Sequence, residues 1–256
     1  MNFTCKSLYL PEKNVLVVES DISNFLIDYY IHLKNSNQKP SVEKDDKLKE
    51  LFSCLACHLC IRPPEETVAF TLHMHAEQPY SLFASGSAKQ EFIVGHVIEE
   101  NIRHTDINMF HVQTIKAGNS YTSAVRCETE EIKEMFESYY KQSEQLPAKI
   151  FFIKNSDKAI AIAAMPDYDQ EWFDSIGSQY PNEEIEKLNQ SPMRTYVFNY
   201  KCDCSPEKLL PYFKTLDEEK IDELYGEDSE LIIGCPRCGR KFAMGREILA
   251  STEGSE

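Results

Sequence analysis

Along the chain the spacing of hydrophobic and polar residues changes several times, and each change marks an element. Residues 14–18 (Asn14-Val15-Leu16-Val17-Val18) are an apolar run of strand length. Asp21 is placed to cap a helix over 22–33, in which Phe25, Leu26, Tyr29 and Tyr30 share one face. The polar stretch 35–46 predicts a loop. Residues 47–61 predict a helix, largely apolar after Glu50 and stopped by Pro63-Pro64. Strands are expected at 67–74, 80–84, 92–98, 109–115 and 121–127, with Ala117-Gly118-Asn119 turning between the last two. Over 130–141, Ile132, Met135, Phe136, Tyr139 and Tyr140 recur at helical spacing, with Thr129 as the cap. A hairpin of 149–153 and 159–165 follows across Asn155-Ser156-Asp157 and is closed by Pro166.

The pattern weakens over 167–195. This stretch is polar and acidic, carries Pro181 and Pro192, and has a single aromatic pair, Trp172-Phe173. It reads as a linker with one or two short helices. The expected class is α+β: residues 1–166 as a mixed sheet with packed helices, the linker 167–195, a small second domain over 196–250, and a polar tail, 251–256. Within the small domain the acidic run 217–224 predicts an exposed helix anchored by Leu216, Ile221 and Leu224.

Composition narrows the function classes. No run in the 256 residues approaches the roughly 18 apolar residues of a membrane span. The first residues, Met1-Asn2-Phe3-Thr4-Cys5-Lys6, lack the basic and apolar regions of a secretory signal. The expectation is a soluble cytoplasmic protein with no membrane partner. The formal charge of −15 argues against nucleic acid as a partner, because that affinity depends on neutralising phosphates with Lys and Arg. Nine cysteines, four of them clustered at one end, do not suit a secreted disulfide scaffold and favour metal or redox chemistry in a reducing compartment.

That cluster is Cys202-x-Cys204, then thirty residues (205–234), then Cys235-x-x-Cys238. Two close thiol pairs joined by a loop can supply four tetrahedral thiolates to one zinc ion. Gly239 after the second pair allows a tight turn that aims N–H groups at sulphur. No histidine follows His111, so an all-cysteine site is the local option. Spacing alone suits a purely structural zinc site best. The Cys-x-Cys pair adds a redox reading: thiolates held on a metal are already deprotonated nucleophiles towards peroxide or hypochlorous acid, and their oxidation would eject the metal. A domain folded by zinc should then unfold.

Other groupings carry less. Cys54, Cys57 and Cys60 begin a ferredoxin-like spacing, but Pro64 stands where the fourth ligand belongs. On an apolar helix they read as core packing. His73 and His75 alternate on one strand, with His96, His104 and His111 downstream, and read as a solvated sheet face. Ser143-Glu144-Gln145, between a helix and a strand, reads by itself as a solvated turn.

Two segments together resemble the redox-regulated holdase chaperones of the heat-shock-protein-33 family. One is Tyr139-Tyr140-Lys141-Gln142-Ser143-Glu144-Gln145-Leu146-Pro147. The other is Tyr196-Val197-Phe198-Asn199-Tyr200-Lys201-Cys202-Asp203-Cys204-Ser205, followed by an acidic helical stretch and Cys235-Pro236-Arg237-Cys238-Gly239. The resemblance covers most of the chain and is specific in the second segment. It implies a zinc-bound, inactive reduced state. Oxidation would link Cys202 to Cys204 and Cys235 to Cys238, release zinc, and let the protein hold unfolded or misfolded clients without ATP, with homodimerisation when oxidised left open. The resemblance implies no enzymatic activity, and no G-x-x-x-x-G-K-[ST] phosphate loop occurs. The short linker between Pro166 and Tyr196 and the glycine-poor N-terminal half depart from the family pattern. A rival reading is a zinc-ribbon-like module binding nucleic acid or a protein. Arg237, Arg240, Lys241 and Arg246 would be its contacts, although residues 202–256 hold seven Lys and Arg against thirteen Asp and Glu. A thiol oxidoreductase built on Cys235 and Cys238 would need a βαβ surround that the pattern lacks.

Overall fold

The structure is a computed structural model and describes residues 2–213, 218–226 and 228–246. Strand β1 (Asn2–Leu10) alternates, burying Phe3, Cys5 and Ser7 and exposing Thr4 and Lys6. It pairs antiparallel with β2 (Val15–Asp21). The cap position of α1 (Ser23–Asn35) is Ile22, without a side-chain cap bond, and Asp21 stands one residue before it, its carboxylate accepting the Ser23 backbone N–H and hydroxyl. Helix α2 (Val42–Ile61) begins inside the expected loop: the Ser41 hydroxyl accepts the Lys44 N–H, and Glu43 and Asp45 stand in the first turn.

The strands β3 (Thr67–Met74), β4 (Tyr80–Ser87), β5 (Phe92–Ile98), β6 (Asn108–Lys116) and β7 (Asn119–Cys127) follow. Ala117 and Gly118 both take positive φ, 49° and 81°, which makes the two-residue turn between β6 and β7. Helix α3 (Ile132–Tyr139) runs into one π-helical turn at Tyr140–Glu144, then β8 (Ala148–Phe152) and β9 (Lys158–Ala164) form the second hairpin. The stretch 167–195 contains two short helices, α4 (Gln170–Ser175) and α5 (Asn182–Ile185). Beyond them come β10 (Ser191–Tyr200), α6 (Pro206–Phe213), α7 (Glu218–Tyr225) and the hairpin β11 (Glu230–Gly234) and β12 (Lys241–Gly245).

Ten strands form one sheet in the order β7-β6-β3-β4-β5-β10-β1-β2-β9-β8. All pairs are antiparallel except β10 with β5, so the sheet is mixed and the class is α+β, as the sequence pattern implies. β10 enters the middle of the sheet, so the expected boundary at residue 196 falls inside a strand of the large sheet. Two layers cover this sheet. On one face α2 is buried almost all round from Leu51 to Cys60, and Ala159, Ala161 and Ala163 of β9 belong to that core. On the other face Trp172, Phe173, Ile176 and Ile185 of the linker pack on Val15, Val17, Ile162 and Ala164. The Trp172 indole donates to Glu184, and Lys13 pairs with Asp169 at 2.9 Å.

In the C-terminal part the acidic helix α7 is anchored by Tyr225, buried with its hydroxyl on the Met244 carbonyl at 3.0 Å. Leu224 points outward at 48% exposure, and Leu216 lies outside the described residues. Among the described residues no helix is long and apolar enough to cross a membrane.

His58 of α2 is fully buried, its Nδ1 2.8 Å from the Tyr140 hydroxyl and its Nε2 without a partner. Burial, reinforced by nearby Arg62, pushes its pKa down to about 3. The unfolded chain, with a histidine pKa of about 6.5, therefore binds a proton that the folded chain refuses. This contribution is complete above pH ~6.5 and is lost as the pH falls from there towards about 3, by about 1.4 kcal/mol per unit. His58→Phe should flatten the stability–pH slope between pH 6 and 5 by about that amount, measured by denaturant titration. An unchanged slope would show that the buried ring does not set it.

Candidate metal centre and its docking seam

Each cysteine pair is presented by a short non-helical segment. Cys202 and Cys204 follow directly on β10, and Cys235 and Cys238 sit in the turn between β11 and β12. The Cys235 N–H donates to the Arg240 carbonyl at 2.8 Å and the Gly239 N–H to the Cys235 carbonyl at 2.9 Å, which closes a tight knuckle. Gly239 turns it with φ +71°. The structure brings all four sulphurs together, within 4.8 Å of one another. Cys202 Sγ lies 3.8 Å from Cys235 Sγ, and Cys204 Sγ lies 3.5 Å from Cys238 Sγ. Four sulphurs at about 2.3 Å from a tetrahedral metal stand about 3.8 Å apart.

The electrostatics ask for a cation as well. The thiols of Cys202 and Cys238 hydrogen-bond to the Cys235 sulphur and hold its pKa well below the usual thiol range. The same crowding pushes Cys202 up to about 12 and Cys238 higher still. A divalent cation would let all four ionise, and Cys235 and Cys238 are buried where such a charge needs partners. The donor set and the spacing therefore fit a metal site.

The knuckle is docked against the large domain. Phe92 and Val94 of β5 form a small apolar cluster with Cys235 and Cys238, flanked by Tyr200 and Phe242. His32, at the end of α1, places Nε2 2.9 Å from the Cys238 carbonyl, and the Gln38 amide donates to the same oxygen at 2.9 Å. His32 therefore carries its proton on Nε2 and accepts at Nδ1 from Arg240, 3.5 Å away. His96 of β5 meets the Arg237 carbonyl, and burial pushes its pKa down to about 4. Arg237 lies over the Phe92 ring at 4.8 Å, Lys241 pairs with Glu100 at 3.1 Å, and Arg246 pairs with Asp222 at 2.9 Å. A cleft of about 1220 Å³, lined in part by Gln38, Pro40, His96, Gly239 and Lys241, runs along this seam.

His32 and Gln38 had no sequence signal, because they act on a backbone carbonyl far away in the chain, and His96, expected on a solvated sheet face, is buried against the knuckle. In the motif Ser143-Glu144-Gln145, read as a solvated turn, Gln145 is exposed but Glu144 is not free in solvent. The π turn swings Glu144 inward to accept from Arg62 at 2.7 Å and from the Tyr139 hydroxyl at 2.5 Å, and Gln145 exits with φ 59°. Arg62 also holds the buried Glu66 at 3.0 Å. Cys54, Cys57 and Cys60 lie in the core, as the apolar helix implies. The His73 and His111 rings meet edge to face with centroids 5.1 Å apart, and His75 points Nδ1 at the Thr105 carbonyl. Among the described residues no cluster of three or more metal-ligating side chains gathers apart from the four cysteines.

A mixed α+β sheet carrying a small four-cysteine lobe on its central strand β10 defines a class of thiol-rich two-part proteins, and comparison with known proteins makes it specific. The profile of the family described as Hsp33 protein matches residues 89–245, more than half of the chain, and the chain belongs to that family. The 33 kDa chaperonin of Pectobacterium atrosepticum is 25% identical over 183 residues, which are 62% of this chain and 60% of that protein. That of Shigella flexneri serotype 5b is 25% identical over 154 residues, 50% of this chain and 53% of that protein. The matched region thus spans little more than half the length of these curated relatives. The crystal structure of the 33 kDa chaperonin of Thermotoga maritima shares the fold, with a TM-score of 0.75, 14% identity and 97% coverage of both chains.

Proposed function

We propose that this chain is a redox-regulated, ATP-independent holdase that binds unfolded or misfolded proteins, with zinc held by Cys202, Cys204, Cys235 and Cys238 in the reduced state. The observation that carries the reading is the position of the four sulphurs: the knuckle that holds two of them is also the surface that docks on the large domain, through the Cys238 carbonyl and Gly239. A bound zinc ion keeps four thiolates together and so keeps the knuckle in its docking shape. Oxidation of the thiolates by peroxide removes the ligands, and the lobe loses the geometry that His32, Gln38 and His96 recognise. The linker on β2 and β9 and the β5 surface under the lobe are then available to apolar segments of a client. Cytoplasmic location fits thiols kept reduced until stress, and self-association of the opened form is an expected further outcome.

The proposed links are Cys202–Cys204 and Cys235–Cys238. In the folded lobe the short sulphur contacts quoted above also cross between the motifs, but once the lobe opens each thiol finds its sequence neighbour first. Zinc release and free thiols, counted before and after peroxide while aggregation of a thermally unfolding client is followed, test the reading. One zinc lost, four thiols oxidised within motifs, and holding activity gained without ATP are expected. Equal activity in both states would remove the switch, and predominant links between the motifs would remove the proposed pairing. The alternative, a zinc-ribbon module for nucleic acid, is weakened because Arg237, Arg240, Lys241 and Arg246 each engage a group of this chain. Salt-sensitive binding of a single-stranded oligonucleotide by the reduced protein, with no holding activity in either state, would favour it.

A further inference from the structure

The large sheet has two edges, and the fold treats them differently. β8, at one end, is five residues long and guarded. The Glu137 carboxylate accepts the outward Ile150 N–H at 3.1 Å, Lys149 donates to the Ile176 carbonyl, and the Phe151 and Tyr180 rings meet with centroids 5.8 Å apart. β7, at the other end, is nine residues long and pairs with β6 alone. Its register runs unbroken from Asn119 opposite Lys116 to Cys127 opposite Asn108, with no bulge and no proline. Bulges, prolines, short length and inward charges are the devices that keep an edge from pairing with another chain.

The turn between β6 and β7 fixes which backbone groups face outward. In a two-residue hairpin the residues flanking the turn, here Lys116 and Asn119, exchange both hydrogen bonds. Asn119, Tyr121, Ser123, Val125 and Cys127 therefore bond to β6. Ser120, Thr122, Ala124 and Arg126 turn their N–H and C=O groups away from it, and among the described residues no strand or side chain bonds to that side. Donors and acceptors thus alternate in a row at the spacing of another extended chain. The surroundings also have a sign. β6 and β7 contain no acidic residue, in a chain with 42 of them and a net charge of −15. Arg126 is exposed, and Tyr121, 63% exposed, offers a ring beside the edge.

We propose that the outer edge of β7 is a docking strand for an extended segment of an unfolded client, which joins the ten-stranded sheet as a further strand through main-chain hydrogen bonds. The identity of the occupant rests on the function proposed above. Main-chain pairing asks only for an extended chain, so it accepts segments of many sequences. The lack of carboxylates favours neutral or acidic segments over basic ones. A second copy of this chain is the poorer occupant, because two chains of charge −15 repel each other. The edge is open while the lobe is docked, so it binds in both redox states, and by itself weakly. The β5 surface under the lobe lies four strands away, about 19 Å, which roughly six extended residues cross. Opening the lobe gives the same client a second attachment, and two linked contacts hold far longer than one.

The test is fluorescence anisotropy of a labelled peptide of alternating threonine and valine with a glutamate at each end, titrated with the reduced full chain. Saturable binding is expected, weakened at least tenfold by Thr122→Pro and unchanged by Thr122→Val. Proline at this position removes an outward N–H and sets its ring on the edge, while the bonds to β6 remain. The fully N-methylated peptide should not bind, and lysine in place of the glutamates should cost at least threefold. Amide hydrogen exchange of the wild-type chain gives a second reading that needs no variant: the peptide should slow Ser120, Thr122, Ala124 and Arg126 at least tenfold. In the oxidised chain Thr122→Pro should raise the amount needed to hold a thermally unfolding client at least threefold and leave zinc release unchanged. Peptide binding undiminished by Thr122→Pro, or no slowing of those four amides, would overturn the docking strand. Binding at β7 with client holding unaffected by Thr122→Pro would overturn the client as its occupant, as would a wild-type dimer that this variant dissolves and the peptide does not. Holding that needs no oxidation, with the peptide still bound at β7, would remove the proposed switch and leave the docking strand standing.

Discussion

Cys238→Ser should lower zinc affinity by two orders of magnitude or more and unravel the C-terminal lobe. Structural zinc sites in small metal-folded domains supply roughly 10–16 kcal/mol, so one ligand of four accounts for about 3 kcal/mol. A serine oxygen is a shorter and harder donor and cannot reach a tetrahedral position set by three sulphurs. Cys238 is the sharpest choice because it works twice. Its side chain is fully buried among the sulphurs, and its carbonyl receives both His32 and Gln38. The lobe has little apolar core to fall back on: Ile232 is 58% exposed and Leu224 48%. Competition with a chromophoric chelator reads the affinity, and limited proteolysis between β10 and β12 reads the unravelling. Cys57→Ser, in the core of the large domain, should leave zinc stoichiometry at the wild-type value. A Cys238→Ser protein with undiminished affinity would mean that the four sulphurs are not the metal's ligands.

Much of this arrangement is legible in the residues where the signal is local. β3 and β5 are read to the residue, because Val68, Phe70, Leu72 and Met74 alternate cleanly and 92–98 is a mostly apolar run, broken only by Gly95 and His96 and bounded by polar residues. The turn at Ala117 and Gly118 and the helix from Ile132 follow from turn chemistry and helical spacing. The gathering of the four cysteines follows from two close pairs around a loop. What stayed hidden is non-local. β1 buries Cys5 and Ser7 where a strand usually shows large apolar groups, so its alternation is faint. β10 is held by β1 from the opposite end of the chain, and its polar first half resembles the linker before it. The start of α2 carries a real cap, Ser41, but its first turn, an exposed Val42 followed by Glu43, Lys44 and Asp45, mimics a loop. Glu144 looks like a turn residue until the π turn aims it at Arg62.

The docking seam makes the second large prediction: Gly239→Asn should give a protein that keeps its zinc yet holds clients while reduced. A Cβ at position 239 would stand 2.6 Å from Gln38 Oε1 and 2.7 Å from His96 Cδ2. The Gln38 amide can swing aside only by giving up its bond to the Cys238 carbonyl. The His96 ring is buried and can move only by leaving the Arg237 carbonyl. Overpacking of this kind costs about 2 kcal/mol, and that shifts a docked-to-undocked equilibrium about thirty-fold. Asparagine separates the clash from strain in the knuckle, because it tolerates the left-handed φ of +71° that Gly239 adopts, whereas a β-branched residue would not. The knuckle should therefore still close and still present Cys235 and Cys238. Zinc content near the wild-type value, faster proteolysis at residues 201–205, and suppression of client aggregation without oxidant are the expected results. Retained zinc with no gain of reduced-state activity would mean that lifting the lobe is not sufficient, and that opening also requires the linker to leave Val15, Val17 and Ile162.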